Sequence, residues 1–329
     1  MGDEPAGVLL DRVREGGLLE AGRPVVVLFS GGRDSVCLLD MAVTLAGRGH
    51  VRALHVNYGL RADARADERH CAELCGRLEV GLEVERASAP ADGPGNLQAW
   101  ARDVRYAAAA RAAAADAARV AVGHTASDQV ETIVYRLAAS PGRRALVGMP
   151  DRRGLLVRPL LRAGLTREDT ARWCAARGLT WREDLTNASD RYARGRVRHT
   201  VLPALRALHP AADDNILRTA ELLQDEAEVL DVVVETALAG RDRIAVGHLA
   251  ALPPALARLI VRRLAEAAAG GSCARAARRL DEILELGSGA RPRAALDVGD
   301  GARAVVEDGV LRFERSPPLP ARPPGPGRP

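Results

Sequence analysis

The hexapeptide Ser30-Gly-Gly-Arg-Asp-Ser35 directly follows a short apolar run and directly precedes an apolar helical pattern. Those residue types in that order bind anions. Glycines let backbone N–H groups approach an anion closely, and a helix start offers unpaired N–H groups and a positive dipole end. The Ser30 and Ser35 hydroxyls can add donors to phosphate oxygens. Asp34 is out of place in an anion site unless a divalent cation joins its carboxylate to the phosphates, which makes it the candidate metal ligand. Further along, Arg102 and Arg105 stand three residues apart on one helical pattern, so both can face one anion or, alternatively, pair with Asp103 or Asp116 on a surface helix. His124 ends an apolar run. Asp128 and Glu131 follow at helical spacing as a paired-carboxylate face, although a helix N-terminus also attracts Asp128. His55 and Asn57 close another apolar run, where a core histidine and a turn asparagine are the plainer alternatives.

Positioning these groups requires buried strands. Val25–Phe29 is apolar and rich in β-branched residues, as a parallel strand buried on both faces would be, and Val36–Ala46 reads as a helix closed by Gly47. Strand-like segments recur at Val51–Val56, Leu82–Glu85, Val120–Val122 and Leu155–Val157, separated by helical stretches at Ala64–Leu78, Asn96–Ala115 and Ser127–Ala138. This alternation predicts an α/β, doubly wound, mainly parallel sheet with ligand chemistry at the carboxyl ends of its strands. Thr166-Arg-Glu-Asp169 reads as a capping box opening a helix that ends at Gly178. A catalytic domain over 1–212 is expected, then a smaller helical domain with short antiparallel strands over 213–315. The 14 residues 316–329 contain seven Pro and read as a disordered tail.

Composition narrows the chemistry. All 47 basic residues are Arg, which excludes a GxxxxGK[ST] phosphate loop and any lysine Schiff base. Nine aromatics argue against a base-stacking platform. No apolar run is long enough for a membrane span, and the first residues do not read as a signal peptide. Net charge is +4, yet residues 141–206 carry 15 Arg against 6 Asp/Glu, as a polyanion-binding surface would. Five cysteines at 37, 71, 75, 174 and 273 form no C-x-x-C and read as buried thiols in a reducing cytoplasm.

Ser30–Ser35 resembles the PP-loop of the N-type ATP pyrophosphatases, and the chain resembles the tRNA(Ile)-lysidine synthetase family within them. Matching blocks run in order: His55–Leu60, Gln98–Tyr106, Gly123–Thr132, Arg158–Leu161, Trp181–Asp184 with Thr186-Asn187, and Arg194–Arg198 ahead of Leu202-Pro203. The family's pattern is altered at Thr125, Ser127 and Gly195. The resemblance implies that ATP and Mg²⁺ are used and that AMP is transferred to the first anticodon cytidine of a tRNA(Ile) with a CAU anticodon. Free L-lysine then displaces the AMP. It further implies that Ser30, Gly31, Gly32, Arg33, Asp34, Ser35, His55, Asn57 and His124 bind ATP. Arg105 would stabilise charge, Asp128 and Glu131 would meet lysine, and Arg194, Arg196 and Arg198 would hold tRNA. A homodimer is left open. A tRNA 2-thiolation enzyme of the same superfamily, a non-catalytic RNA-binding relative and a small-molecule amidating enzyme are the other readings.

Overall fold

A computed structural model describes residues 6–59, 64–88, 97–140, 142–182, 193–288 and 292–317. Expectations for Leu60, Asn96, Pro141, Glu183, Asp184, Thr186, Asn187, Tyr192 and the tail beyond 317 lie outside the described residues. The chain divides into two compact units, Met1–Leu223 and Gln224–Pro329. The division falls inside one long helix, Ala212–Leu238, whereas the boundary read from the sequence lies between 212 and 213.

In the first unit the strands are β1 (Val25–Leu28), β2 (Val51–Asn57), β3 (Gly81–Arg86), β4 (Arg119–Ala121), β5 (Arg152–Arg153) and β6 (Leu156–Val157). The described strands form one sheet in the order β3-β2-β1-β4-β6-β5, parallel except for the β5–β6 edge pair. Side chains alternate across β1 because successive Cβ atoms point to opposite faces. Val25, Val27 and Phe29 join the core built with α2 (Arg33–Ala46), while Val26 and Leu28 pack with Ala108, Ala109, Ala112 and Ala113 of α4 (Leu97–Ala114). Helices therefore cover both faces, as a doubly wound sheet requires.

Strands β2 and β3 extend the sheet on one side of β1, and β4 on the other. That reversal opens a crevice between the carboxyl ends of β1 and β4, the place where such sheets bind ligands. Residues 30–35 leave β1 into this crevice, and residues 123–128 leave β4 into it. Helix α2 starts at Arg33 rather than Val36, with Gly32 as its extended N-cap, so half of the hexapeptide is the first helical turn. Among the loop glycines, Gly31 adopts φ +78°, and a Cβ there would lie 3.1 Å from Cys71 Sγ of α3 (Ala64–Leu78). From β4 the chain continues into α5 (Ala126–Ala139). Two short helices, α6 (Arg143–Leu146) and α7 (Pro159–Arg162), then precede α8 (Arg167–Ala176). Helices α5 and α8 each open with a capping box, Thr125 with Asp128 and Thr166 with Asp169.

The second unit contains α-helices Val246–Ala251, Pro254–Ala269 and Leu280–Ser288, the end of Ala212–Leu238, and an antiparallel sheet. The expected strands near 294–315 are β8 (Arg293–Gly299), β9 (Ala302–Glu307) and β10 (Val310–Arg315). Arg243–Ala245, expected to be helical, is instead β7, paired with β10 through Ile244 and Leu311. Three residues are too few to show a period, and only the distant partner makes them a strand. Among the described residues no helix is long and apolar enough to cross a membrane.

Gly123, at the exit of β4, locks the crevice. A Cβ built there would come within 3.0 Å of the Asp34 carbonyl oxygen and 3.2 Å of the Ser35 nitrogen. The neighbours are backbone, so α2 itself would have to shift. Gly123→Ala is therefore expected to destabilise the protein by about 1–3 kcal/mol, the usual cost of overpacking, as measured by urea unfolding.

Candidate active site

The anion loop is self-braced. Ser35 Oγ donates to the Gly32 carbonyl at 2.7 Å and lies 3.1 Å from Ser30 Oγ, which accepts from the Gly32 N–H at 3.3 Å. The two hydroxyls expected to meet phosphate thus hold the loop's shape. The first N–H groups of α2 have no partner within the helix, which leaves them for an anion. Arg33 Nε donates to Asp34 Oδ1 at 3.3 Å and to Thr170 Oγ1 at 3.2 Å.

Asp34, Asp128 and Glu131 converge, as paired carboxylates beside a phosphate loop should. What joins them is Arg167, the first residue of α8, which the sequence reading passed over. Its Nη2 lies 2.5 Å from Asp128 Oδ1, its Nη1 2.5 Å from Glu131 Oε1 and its Nε 3.8 Å from Asp34 Oδ2. The backbone N–H of Arg167 donates to Ser127 Oγ at 3.1 Å, so the Ser127 departure from the family pattern anchors α8. Thr125, a second departure, caps α5: its N–H and hydroxyl both donate to Asp128 Oδ2, at 2.9 and 3.0 Å. Asp128 therefore has only Oδ1 facing outward, and Arg167 holds it. Glu131 is buried, and Arg198 engages both its oxygens, from Nε at 2.7 Å and Nη2 at 3.0 Å.

Arg198 sits in a π-helical turn, Val197–Val201, and is turned inward onto Glu131. Arg194 and Arg196 are exposed, and Gly195 between them is buried. Of the three arginines read as an RNA surface, the structure gives one an internal ion pair and leaves two on the surface. A cleft of about 300 Å³ beside this cluster is lined by Arg33, Arg167, Arg198, Arg206, Ser127 and Glu131 among others.

Burial raises the pKa of Asp34; the Thr170 hydrogen bond lowers it, nearby Asp128 raises it again, and the net shift is upward. A divalent cation would relieve that strain, and Mg²⁺ needs only one or two carboxylates when phosphates complete its shell. Among the described residues no cluster of three metal-ligating side chains forms an all-protein cage. Asp34, a carboxylate within the phosphate loop, is a donor of the kind that a phosphate-borne Mg²⁺ would take.

On the other flank, His124 Nδ1 accepts from Arg158 Nε at 3.1 Å, and Arg158 is 4% exposed. Arg105 Nε is buried with no hydrogen-bond partner among the described residues, and its guanidinium lies 5.9 Å from the Tyr106 ring centre. An unpaired buried donor costs about 1–3 kcal/mol, which favours an acceptor arriving there. His55 and Asn57 are tethered instead. The His55 ring is buried, with Nδ1 2.9 Å from the Phe29 carbonyl, and Asn57 bonds Glu68 Oε2 at 3.0 Å and the Gly59 N–H at 2.9 Å. Both brace the ends of β1 and β2.

Burial pushes the His124 pKa down to about 4; Asp128 pulls it up, and Arg158, Arg105 and Arg194 push it further down. The unfolded value is about 6.5, so between the two the unfolded chain binds a proton that the folded chain refuses. This contribution to stability is complete above the unfolded value and is lost as pH falls toward the folded one. Urea unfolding at about pH 7 and about pH 5 should show a larger acid loss in wild type than in His124→Asn.

Among comparisons with known proteins, the family model of the PP-loop domain matches residues 11–205 of the chain. A tRNA(Ile)-lysidine synthase of Symbiobacterium thermophilum is 36% identical over 343 residues, covering 94% of this chain and 70% of the relative. One of Salinispora tropica is 38% identical over 306 residues, covering 88% and 90%. Among solved structures, the U34-tRNA thiolase NcsA from Methanococcus maripaludis shares the fold with a TM-score of 0.54 at 15% identity, covering 66% of this chain and 79% of that one. With the loop, the crevice and the aligned length all in agreement, the chain belongs to the PP-loop domain family and, within it, to the tRNA(Ile)-lysidine synthase family.

Proposed function

We propose that the chain ligates free lysine to C2 of the first anticodon cytidine of tRNA(Ile) with a CAU anticodon, using ATP and passing through an adenylated tRNA. The observation that carries this reading is the pair Asp34 and Asp128. One carboxylate lies in the first turn after the phosphate loop and the other across the crevice, both reached by a single guanidinium. The α2 N-terminus and Gly31 would cradle the phosphates, and Asp34 would hold Mg²⁺, which supplies charge neutralisation on them. Arg105, with its free buried Nε, would meet the nucleotide's developing negative charge. Neutral His124 would sit beside it. Arg194 and Arg196 would contact the tRNA backbone.

Free lysine's ε-amine has a pKa of about 10.4, so it arrives as an ammonium. Asp128 Oδ1 would orient it and accept its proton. The neutral nitrogen then bonds to C2, the C2–O bond breaks, and AMP leaves. Glu131, saturated by Arg198 and Arg167, serves this reading by holding Arg198 and α5 in place. A 2-thiolation reading is less well supported. Burial drives Cys71 up to about 12 and Cys75 up to about 11, so these thiols stay protonated. A tRNA substrate and reduced thiols fit a cytoplasmic protein.

Incubating the protein with tRNA(Ile), ATP, Mg²⁺ and isotope-labelled lysine should yield labelled tRNA by mass spectrometry, with AMP and pyrophosphate as the other products. Formation of ADP and phosphate would sink the assignment. Asp128→Asn should keep tRNA adenylation yet lose lysine transfer by about 10²-fold, the scale for removing a general base. Asp34→Asn should abolish adenylation itself. Single-turnover assays of AMP transfer and lysine transfer separate the two outcomes.

A further inference from the structure

The carboxylate cluster is already neutral. Asp34, Asp128 and Glu131 carry three negative charges, and Arg33, Arg167 and Arg198 bring three positive ones within 4 Å. The three arginines are not equally committed. Arg198 is bidentate on Glu131, a carboxylate side chain only 4% exposed. Arg33 is shared between Asp34 and Thr170. Among the described residues Arg167 holds the outward oxygen of Asp128, while the other oxygen is filled by the α5 cap. A cation approaching Asp128 Oδ1 meets the Arg167 guanidinium, which already lies 2.5 Å from that oxygen. Arg167 also lines the cleft of about 300 Å³, which gives its side chain somewhere to go.

The geometry points to Arg167 as a placeholder for the substrate amine. Its guanidinium neutralises Asp128 while the site is empty of lysine, and the ε-ammonium displaces it from Oδ1 on arrival. This inference rests on the lysine-ligating function proposed above and adds a positioning residue to it. The ammonium takes the position at Asp128 Oδ1 that the guanidinium vacates, and no covalent bond is involved. An ammonium is a compact point charge, whereas a guanidinium spans several acceptors, so the incoming group can take one oxygen that Arg167 gives up. After the exchange Arg167 keeps Glu131 and its backbone anchor on Ser127.

A placeholder competes with its substrate, so removing it should tighten substrate binding, which is the reverse of what a structural residue does. Arg167→Met is expected to lower the KM for lysine by about tenfold, equivalent to about 1.4 kcal/mol. Arg167→Lys, which restores a cation, should return KM to near the wild-type value. A KM that rises or stays constant in a folded Arg167→Met protein overturns the inference. A second measurement uses wild-type protein and so does not depend on the variant's folding. With tRNA and a non-cleavable ATP analogue present, adding lysine should speed phenylglyoxal modification of Arg167, mapped by peptide mass spectrometry. Slower or unchanged modification overturns the placeholder role. Absence of any lysidine product from wild type would instead defeat the proposed function, so the two failures are distinct.

Discussion

Three carboxylates gathered beyond the carboxyl ends of the central strands β1 and β4 are the constraint on which the rest of this structure depends. Asp34 and Asp128 both lie in the first turn of a helix, where the dipole favours negative charge, and the crevice brings those two helix starts together. Once assembled the carboxylates repel, and an unpaired partly buried carboxylate costs several kcal/mol. Arg167 relieves this by reaching all three from α8. The placement of α8 is therefore part of the site. It is fixed by Thr170 donating to Asp34 at 2.5 Å, and by Trp173 Nε1 and Arg177 Nε donating to buried Asp40 at 2.9 and 3.1 Å.

Residue choice matters here as much as position. A planar guanidinium presents donors in a fixed fork and can serve several acceptors at once, which an ammonium cannot match. The same property explains Arg198, whose fork closes on Glu131 and ties α5 to the π-helical turn Val197–Val201. Such turns recur at functional sites because they redirect side chains within a helix. Here the redirection takes a surface-patterned arginine into the interior.

The fold shared with a tRNA thiolase shows how little of the chemistry lies in the sheet. The strand order supplies a crevice and two helix N-termini. Which reaction they serve depends on the side chains that line them, and here those are carboxylates and guanidiniums. All five cysteines are buried, and Cys71 packs against the left-handed Gly31 that shapes the anion loop.

Local sequence determined a great deal. The apolar, β-branched run Val25–Phe29 and the Ser-Gly-Gly turn specify a buried strand feeding an anion loop, because strand burial and glycine conformation act over a few residues. The capping box at Thr166 is equally local, and so is the spacing that puts Asp128 and Glu131 on one helix face. The roles that local signals could not assign are those decided by distance in the chain. Arg167 lies 39 residues from Asp128 and 36 from Glu131, and it is one of 47 arginines with nothing in its neighbours to single it out. The inward turn of Arg198, the tethering of His55 and Asn57, and the pairing of Arg243–Ala245 with β10 have the same origin. Sequence determined which groups could do chemistry. Only the tertiary structure decided which of them face each other, because charge pairing and strand pairing are settled by the partner that folding brings within a few ångströms.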